Sequence, residues 1–319
     1  MAEIVLGLGT SHAPSLHHGP ERWDGGKRDM SNPAGGGMKM DLDIDAMIKE
    51  RESWIPKQLT FDVRKQRYDS AWAAINRLSD VYREVSPDVF VVIGDDTHEV
   101  FMPEEHIPAF DVFWGKNLPY MPHSSRVGPD QLVLRDLEGE PDLGQHLVKS
   151  LLASGFDVSS TRKVPEGRYI GHAFDFVYGC ILREEVGPHV PLWLNTYYPP
   201  NQPTLRRCHE LGRELRRAIE SWDSDKRVAV IATGGMSHLV LDEEMDRTLL
   251  GAMQEKDEER LATAYPESAF TYGTSEIRNW IVLAGAMADG SAEMNLLAYE
   301  PMYRSPAGTG CGCAFAYWR

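Results

Sequence analysis

Apolar residues fall along the chain in two patterns. The first is a short unbroken run: Ile4-Val5-Leu6-Gly7-Leu8-Gly9, Val89-Phe90-Val91-Val92-Ile93-Gly94 and Val228-Ala229-Val230-Ile231-Ala232-Thr233. These runs are rich in β-branched residues and show no polar alternation, so each predicts a strand buried on both faces. The second pattern has a helical period. Ala71, Ala74, Ile75, Leu78, Val81 and Tyr82 predict a helix over residues 62–85, stopped by Pro87. Leu143, Leu147, Leu151 and Leu152 predict another over 142–154. Further helices are read at 174–183, 203–222, 242–253, 257–264 and 275–288, and further strands at 108–114, 156–160, 190–196, 294–299 and 313–318. Strands alternating with helices predict an α/β fold with a largely parallel central sheet flanked by helices. No composition break divides the chain, so residues 1–319 read as a single catalytic domain. Residues 17–40, rich in glycine, proline and charge, read as a mobile loop after the first strand.

Each of the three buried runs ends just before a histidine. His12 follows Thr10-Ser11, His98 follows Asp95-Asp96-Thr97, and His238 follows Gly234-Gly235-Met236-Ser237. Ligands of open α/β sheets bind beyond the carboxyl ends of the strands, so three imidazoles delivered there can converge. Asp95 and Asp96 are orienting partners of His98, second candidates as ligands, or simply part of a solvated loop. His172, in Tyr-Ile-Gly-His-Ala-Phe, is a core-edge histidine by itself and a proton shuttle or substrate contact beside the others. Glu276 opens an otherwise apolar helix, where a carboxylate either suits the macrodipole or points into the same pocket. His106, His123, His146, His189 and His209 read as surface residues. Two histidines and a carboxylate with open positions suit a non-haem iron(II) oxygenase, and equally a zinc hydrolase.

Composition narrows the classes. The chain has 319 residues, 42% hydrophobic and 25% charged, with a formal net charge of −15. That sign excludes a nucleic-acid partner, which needs a basic face, and an anionic membrane surface. No apolar run is long enough to span a bilayer, and no secretory signal pattern is visible. Cys180, Cys208, Cys311 and Cys313 form no disulfide framework, and Cys311-Gly312-Cys313 is too tight for an ordinary bridge. A reducing cytoplasm fits this usage.

With these residues in view, the chain resembles the class III extradiol ring-cleavage dioxygenases, the group of the protocatechuate 4,5-dioxygenase β subunit. Within it the similarity is greatest to the 3-O-methylgallate dioxygenase branch. Gly-Thr-Ser-His at 9–12, the strand and Asp-Asp segment at 89–101, Gly-His-Ala-Phe at 171–174 and Asn-Thr-Tyr-Tyr-Pro-Pro at 195–200 carry the resemblance. So do Ala-Thr-Gly-Gly-Met-Ser-His at 232–238, Gly-Thr-Ser-Glu-Ile at 273–277 and Ala-Gly-Thr-Gly near residue 310. The resemblance implies His12 and Glu276 as ligands of Fe(II), His238 as the base and His172 as a second histidine touching substrate or oxygen. In the second ligand position the family pattern falls on Thr97. His98, one residue on, is assigned to the metal, with Asp95, Asp96, His17 and His18 as the other groups in reach. Thr10, Ser11 and Tyr197 are the candidate substrate contacts. The implied reaction opens the ring of a catechol-type or gallate-like carboxylic acid with O2, in a chain that acts as a homo-oligomer. The alternatives are a zinc-dependent hydrolase on the same ligands and a non-catalytic binding protein that keeps the metal site.

Overall fold

The computed structural model describes residues 1–23, 41–102, 104–122, 132–183 and 186–319. Its strands are Glu3–Thr10 (β1), Val89–Asp95 (β2), Phe110–Phe113 (β3), Asn117–Tyr120 (β4), Arg135–Glu138 (β5), Ser159–Thr161 (β6), His189–Leu194 (β7), Arg227–Thr233 (β8), Met294–Tyr303 (β9) and Gly310–Trp318 (β10). Eight of them form one sheet in the order β6-β3-β7-β2-β8-β1-β10-β9, and β4 pairs with β5 in a separate ribbon. The centre, β7-β2-β8-β1, is parallel. Toward the edges β3 runs antiparallel to β7, and β10 antiparallel to both β1 and β9. The α/β expectation of a largely parallel sheet is met, with mixed edges that the spacing of apolar runs does not reveal.

The main helices are Phe61–Val85 (α1), Pro141–Ala153 (α2), His172–Phe176 (α3), Leu205–Ser221 (α4), Glu243–Glu255 (α5) and Ile277–Ala288 (α6). Alternation along the central strands explains why their sequences are apolar throughout. Val89, Val91 and Ile93 of β2 join Val228 and Val230 of β8 in a core with α2, α4, α5 and α6. Phe90 and Val92 join Ala229 and Ile231 in a second core, on the other face, with α1 and α3. The sheet is thus covered by helices on both sides.

α4 and α6 approach through glycine. A Cβ on Gly285 would overlap the carbonyl of His209, and one on Gly212 the carbonyl of Val282. Alanine favours a free helix by about 1 kcal/mol over glycine. Here the backbone contact outweighs that preference. Gly285→Ala is expected to destabilise the protein by about 1–3 kcal/mol through overpacking, seen as a lower urea midpoint at unchanged slope.

Two of the histidines read as surface residues are buried. His189, inside β7, stacks on Phe90 at 4.6 Å. It donates from Nδ1 to the Gly187 carbonyl and accepts the Tyr178 hydroxyl at Nε2, and burial pushes it down to about 4. His209 lies on the inward face of α4, where Gly285 packs on its carbonyl. The sequence reading missed His189 because a ring with both nitrogens satisfied packs like an aromatic residue. His146 is half-buried and bonded to the Ala218 carbonyl; His106 is exposed. His123 lies outside the described residues.

Residues 17–23 of the expected loop form a compact turn closed by buried Trp23, whose indole donates to the Ser15 and His18 carbonyls. Residues 24–40 lie outside the described set. Short helices at Ile44–Arg51 and Ile55–Gln58, unread in the sequence, follow it.

Candidate metal and acid–base centre

The carboxyl ends of β1, β2 and β8 lie side by side, because all three run parallel. Beyond β1, Ser11 is pinned to β10 by a two-way pair: its N–H donates to the Ala314 carbonyl and its hydroxyl accepts the Ala314 N–H. Thr10 spends its hydroxyl on the Ser11 carbonyl. Both residues are fully buried. The structure therefore places these two proposed substrate contacts in support of the turn that projects His12.

His12 has a defined tautomer. The Thr233 hydroxyl donates to the Ala173 carbonyl at 3.2 Å, so it accepts from His12 Nδ1 at 2.9 Å. Nε2 is left with its lone pair, and burial pushes the ring down to about 4, which keeps it neutral. That lone pair faces Glu276 Oε2 at 3.4 Å. Two acceptors set against each other in a buried site are stable when a cation or proton lies between them.

Glu276 is the hub. It ends a turn, Tyr272–Glu276, that leads straight into α6. Its Oε1 accepts the Tyr197 hydroxyl at 2.5 Å and faces His238 Nε2 at 3.1 Å. Its Oε2 accepts the Gly235 N–H at 2.8 Å. Burial would raise this carboxyl, but His238 and His12 outweigh it and hold it well below the ordinary range. Tyr197 thus bonds the carboxylate directly.

His238 donates from Nδ1 to the Met236 carbonyl at 2.7 Å, which turns Nε2 toward Glu276. Burial alone would lower its pKa; the Glu276 charge overrides this and holds it well above the usual value. Gly235 and Gly273 make room for the ring, since a Cβ on either would overlap it. Asp246 braces the same loop by accepting the Ser237 N–H at 2.7 Å, the Ser237 hydroxyl at 2.8 Å and the Tyr299 hydroxyl at 2.6 Å.

His172 is the first residue of α3 and meets the His12 ring edge-on, with centroids 5.0 Å apart. Its Nδ1 is 2.5 Å from Glu99 Oε1, which also accepts the His172 backbone N–H at 3.1 Å. Burial would lower this ring, but the Glu99 charge raises it to about 10. Glu99 was not singled out in the sequence. An acid in the Asp-Asp-Thr-His-Glu segment does orient an imidazole, and that imidazole is His172.

His98 is not brought to this cluster. Its backbone has φ +72°, and its half-exposed ring donates from Nε2 to Glu104 at 3.2 Å while the Tyr198 hydroxyl sits on Nδ1 at 2.8 Å. Asp96 closes its own loop by accepting the backbone N–H groups of Val100 and Phe101. The His17 ring packs edge-on against Phe176. Asp95 does reach the cluster: ligand atoms of His12, Asp95 and His172 lie within 4.8 Å of one another. Its Oδ1 accepts from Asn279 of α6 at 3.1 Å, and its Oδ2 is buried without a partner. A lone pair on His12, an unpaired carboxylate oxygen on Asp95 and the ionised Glu276 are the donors a divalent cation requires, so the residues present fit a metal.

Comparison with known proteins agrees with this chemistry. Residues 59–309 match the family described as the catalytic LigB subunit of aromatic ring-opening dioxygenase. A gallate dioxygenase of Pseudomonas putida is 33% identical over 176 residues, covering 51% of this chain and 50% of that protein. A 2,3-dihydroxyphenylpropionate/2,3-dihydroxicinnamic acid 1,2-dioxygenase of Cupriavidus necator is 27% identical over 192 residues, 60% of this chain and 55% of that one. One of the same description from Paraburkholderia xenovorans is 29% identical over 177 residues, 56% and 52% of the two chains. The chain spans about half the length of the curated relatives it matches. With most of its length matched and the sheet and buried donors described above, the chain belongs to the LigB family of aromatic ring-opening dioxygenases.

Proposed function

We propose that the protein, with residues 1–319 as one catalytic unit, is an iron(II)-dependent extradiol dioxygenase. Its substrate in this reading is a catecholic or gallate-like carboxylic acid, opened with O2. The observation that carries the reading is the buried Glu276 carboxylate, which touches His12 on one oxygen and His238 on the other. A metal-holding group and an acid–base group are thereby locked together. The names of the relatives supply the substrate class: one is a gallate dioxygenase, others act on 2,3-dihydroxyphenylpropionate.

In this reading His12 and Glu276 hold the metal. When bound, ferrous iron supplies the electron path between diol and dioxygen that side chains lack. His238 takes a proton from the diol at Nε2. The Glu276 charge, once shared with a cation, no longer retains the His238 proton, and the ring becomes able to accept one. His172, its Nδ1 side occupied by Glu99, turns Nε2 toward the same space and contacts substrate or oxygen. Tyr197 steadies Glu276, while Thr10 and Ser11 hold the turn that carries His12.

The test is anaerobic iron(II) loading followed by an oxygen electrode over a panel of substituted catechols. Iron at about one per chain and iron-dependent O2 uptake, with a new absorbance from the opened ring, are expected. Stoichiometric zinc without O2 uptake would instead support a hydrolase, and no turnover with any metal a binding protein. Homo-oligomerisation belongs to the same reading and is checked by light scattering. A cytoplasmic site is in keeping with four free, buried cysteines; among the described residues no helix is long and apolar enough to cross a membrane.

A further inference from the structure

We propose that Asp95 is a direct ligand of the metal held by His12 and Glu276, filling with a carboxylate the position for which the sequence offered His98. The inference rests on the metal reading above. Alternation along β2 sets Asp95 on the face of Val91 and Ile93, toward α6, where Asn279 receives it. Asp95 is fully buried and one of its oxygens has no partner. A carboxylate in that state is costly unless a cation or a proton meets it. One oxygen of the Asp95 carboxylate lies within 4.8 Å of ligand atoms on His12 and His172. His98, by contrast, has both ring nitrogens engaged elsewhere.

The supports are arranged as they are around bound metals, where outer hydrogen bonds fix the ligands. Asn279 Nδ2 bridges Asp95 Oδ1 and the Thr233 carbonyl at 2.9 Å, while the Thr233 hydroxyl fixes the His12 tautomer. One residue at the end of β8 therefore steadies both donors. His172, whose Nδ1 is taken by Glu99, remains a substrate or oxygen contact, so the set becomes one imidazole nitrogen and two carboxylate oxygens. Its two negative charges balance a divalent ion, and its oxygen-rich character admits Mn²⁺ alongside Fe²⁺.

The experiment titrates metal-free protein with Mn²⁺ alone, by calorimetry and electron paramagnetic resonance, with no substrate present. Wild type is expected to bind about one Mn²⁺, Asp95→Asn to bind at least about tenfold more weakly, and His98→Ala to match wild type. Pulsed measurements on wild-type protein should show a single coupled imidazole, a readout that does not depend on any variant folding. Wild-type affinity in Asp95→Asn, weakened binding in His98→Ala, or two coupled imidazoles would overturn the assignment while leaving the dioxygenase reading intact. A wild-type protein that takes up no divalent metal would overturn both. A protein that binds Mn²⁺ as described but opens no ring would overturn only the function.

Discussion

Glu276→Gln empties the centre: metal content falls from about one per chain to near zero, and metal-dependent oxygen uptake goes with it. The loss should exceed the ~10–100-fold cost of altering an outer partner of a metal site. The amide has the right shape, so the effect isolates charge and hydrogen-bond polarity. Oε1 now accepts from Tyr197 and His238, and Oε2 accepts from Gly235. Turned toward Gly235, its NH₂ meets an obligate backbone donor in a site where Glu276 is only 3% exposed; turned toward Tyr197 and His238 it can be accommodated, and the charge is lost either way. A buried donor set against a donor forfeits the bond and keeps the desolvation cost. Metal analysis by plasma mass spectrometry, paired with the oxygen electrode, reads both losses. Stoichiometric metal in the glutamine variant would remove Glu276 from the ligand set.

His238→Ala is expected to do the opposite: the metal stays and turnover slows by about 10²–10⁴, the range of a lost general base. His238 touches the Glu276 carboxylate and donates its other nitrogen to the Met236 carbonyl. Truncation leaves His12, Glu276 and their supports in place. The ring fits between Gly235 and Gly273, so its removal opens a slot of imidazole shape. Added imidazole should recover part of the rate. The effect should fall on kcat at unchanged metal content. Disappearance of the metal in this variant would make His238 a ligand.

The fold was legible in the sequence wherever burial imposed a pattern. A strand covered on both faces has no polar positions, and β1, β2 and β8 stand out for that reason. The same property located His12, His238 and Glu276, because flanking glycines mark where a buried strand or turn must change direction. The β4–β5 ribbon escaped because its strands are short and partly exposed. Asp95 and His98 show what a pattern of apolar positions leaves out. Gly94 looks like the end of a strand, but β2 runs one residue further, and Asp95 takes the last inward position on the face set by Val91 and Ile93. His98 is itself the residue at which the chain turns with positive φ, and its ring leaves with the loop. Glu99 was hidden for another reason. Its partner His172 is 73 residues away, and no local period encodes that pairing.

β1 lies between β8 and β10, strands drawn from the other end of the chain. His12 and the Thr233 that fixes its ring are 221 residues apart. During synthesis the first strand is made long before either neighbour exists, and loop closure over such a span is slow. The centre therefore cannot close until β8 has been made and lies beside β1. Its side chains run from His12 to Glu276, so cutting the polypeptide into halves would divide them between the two pieces.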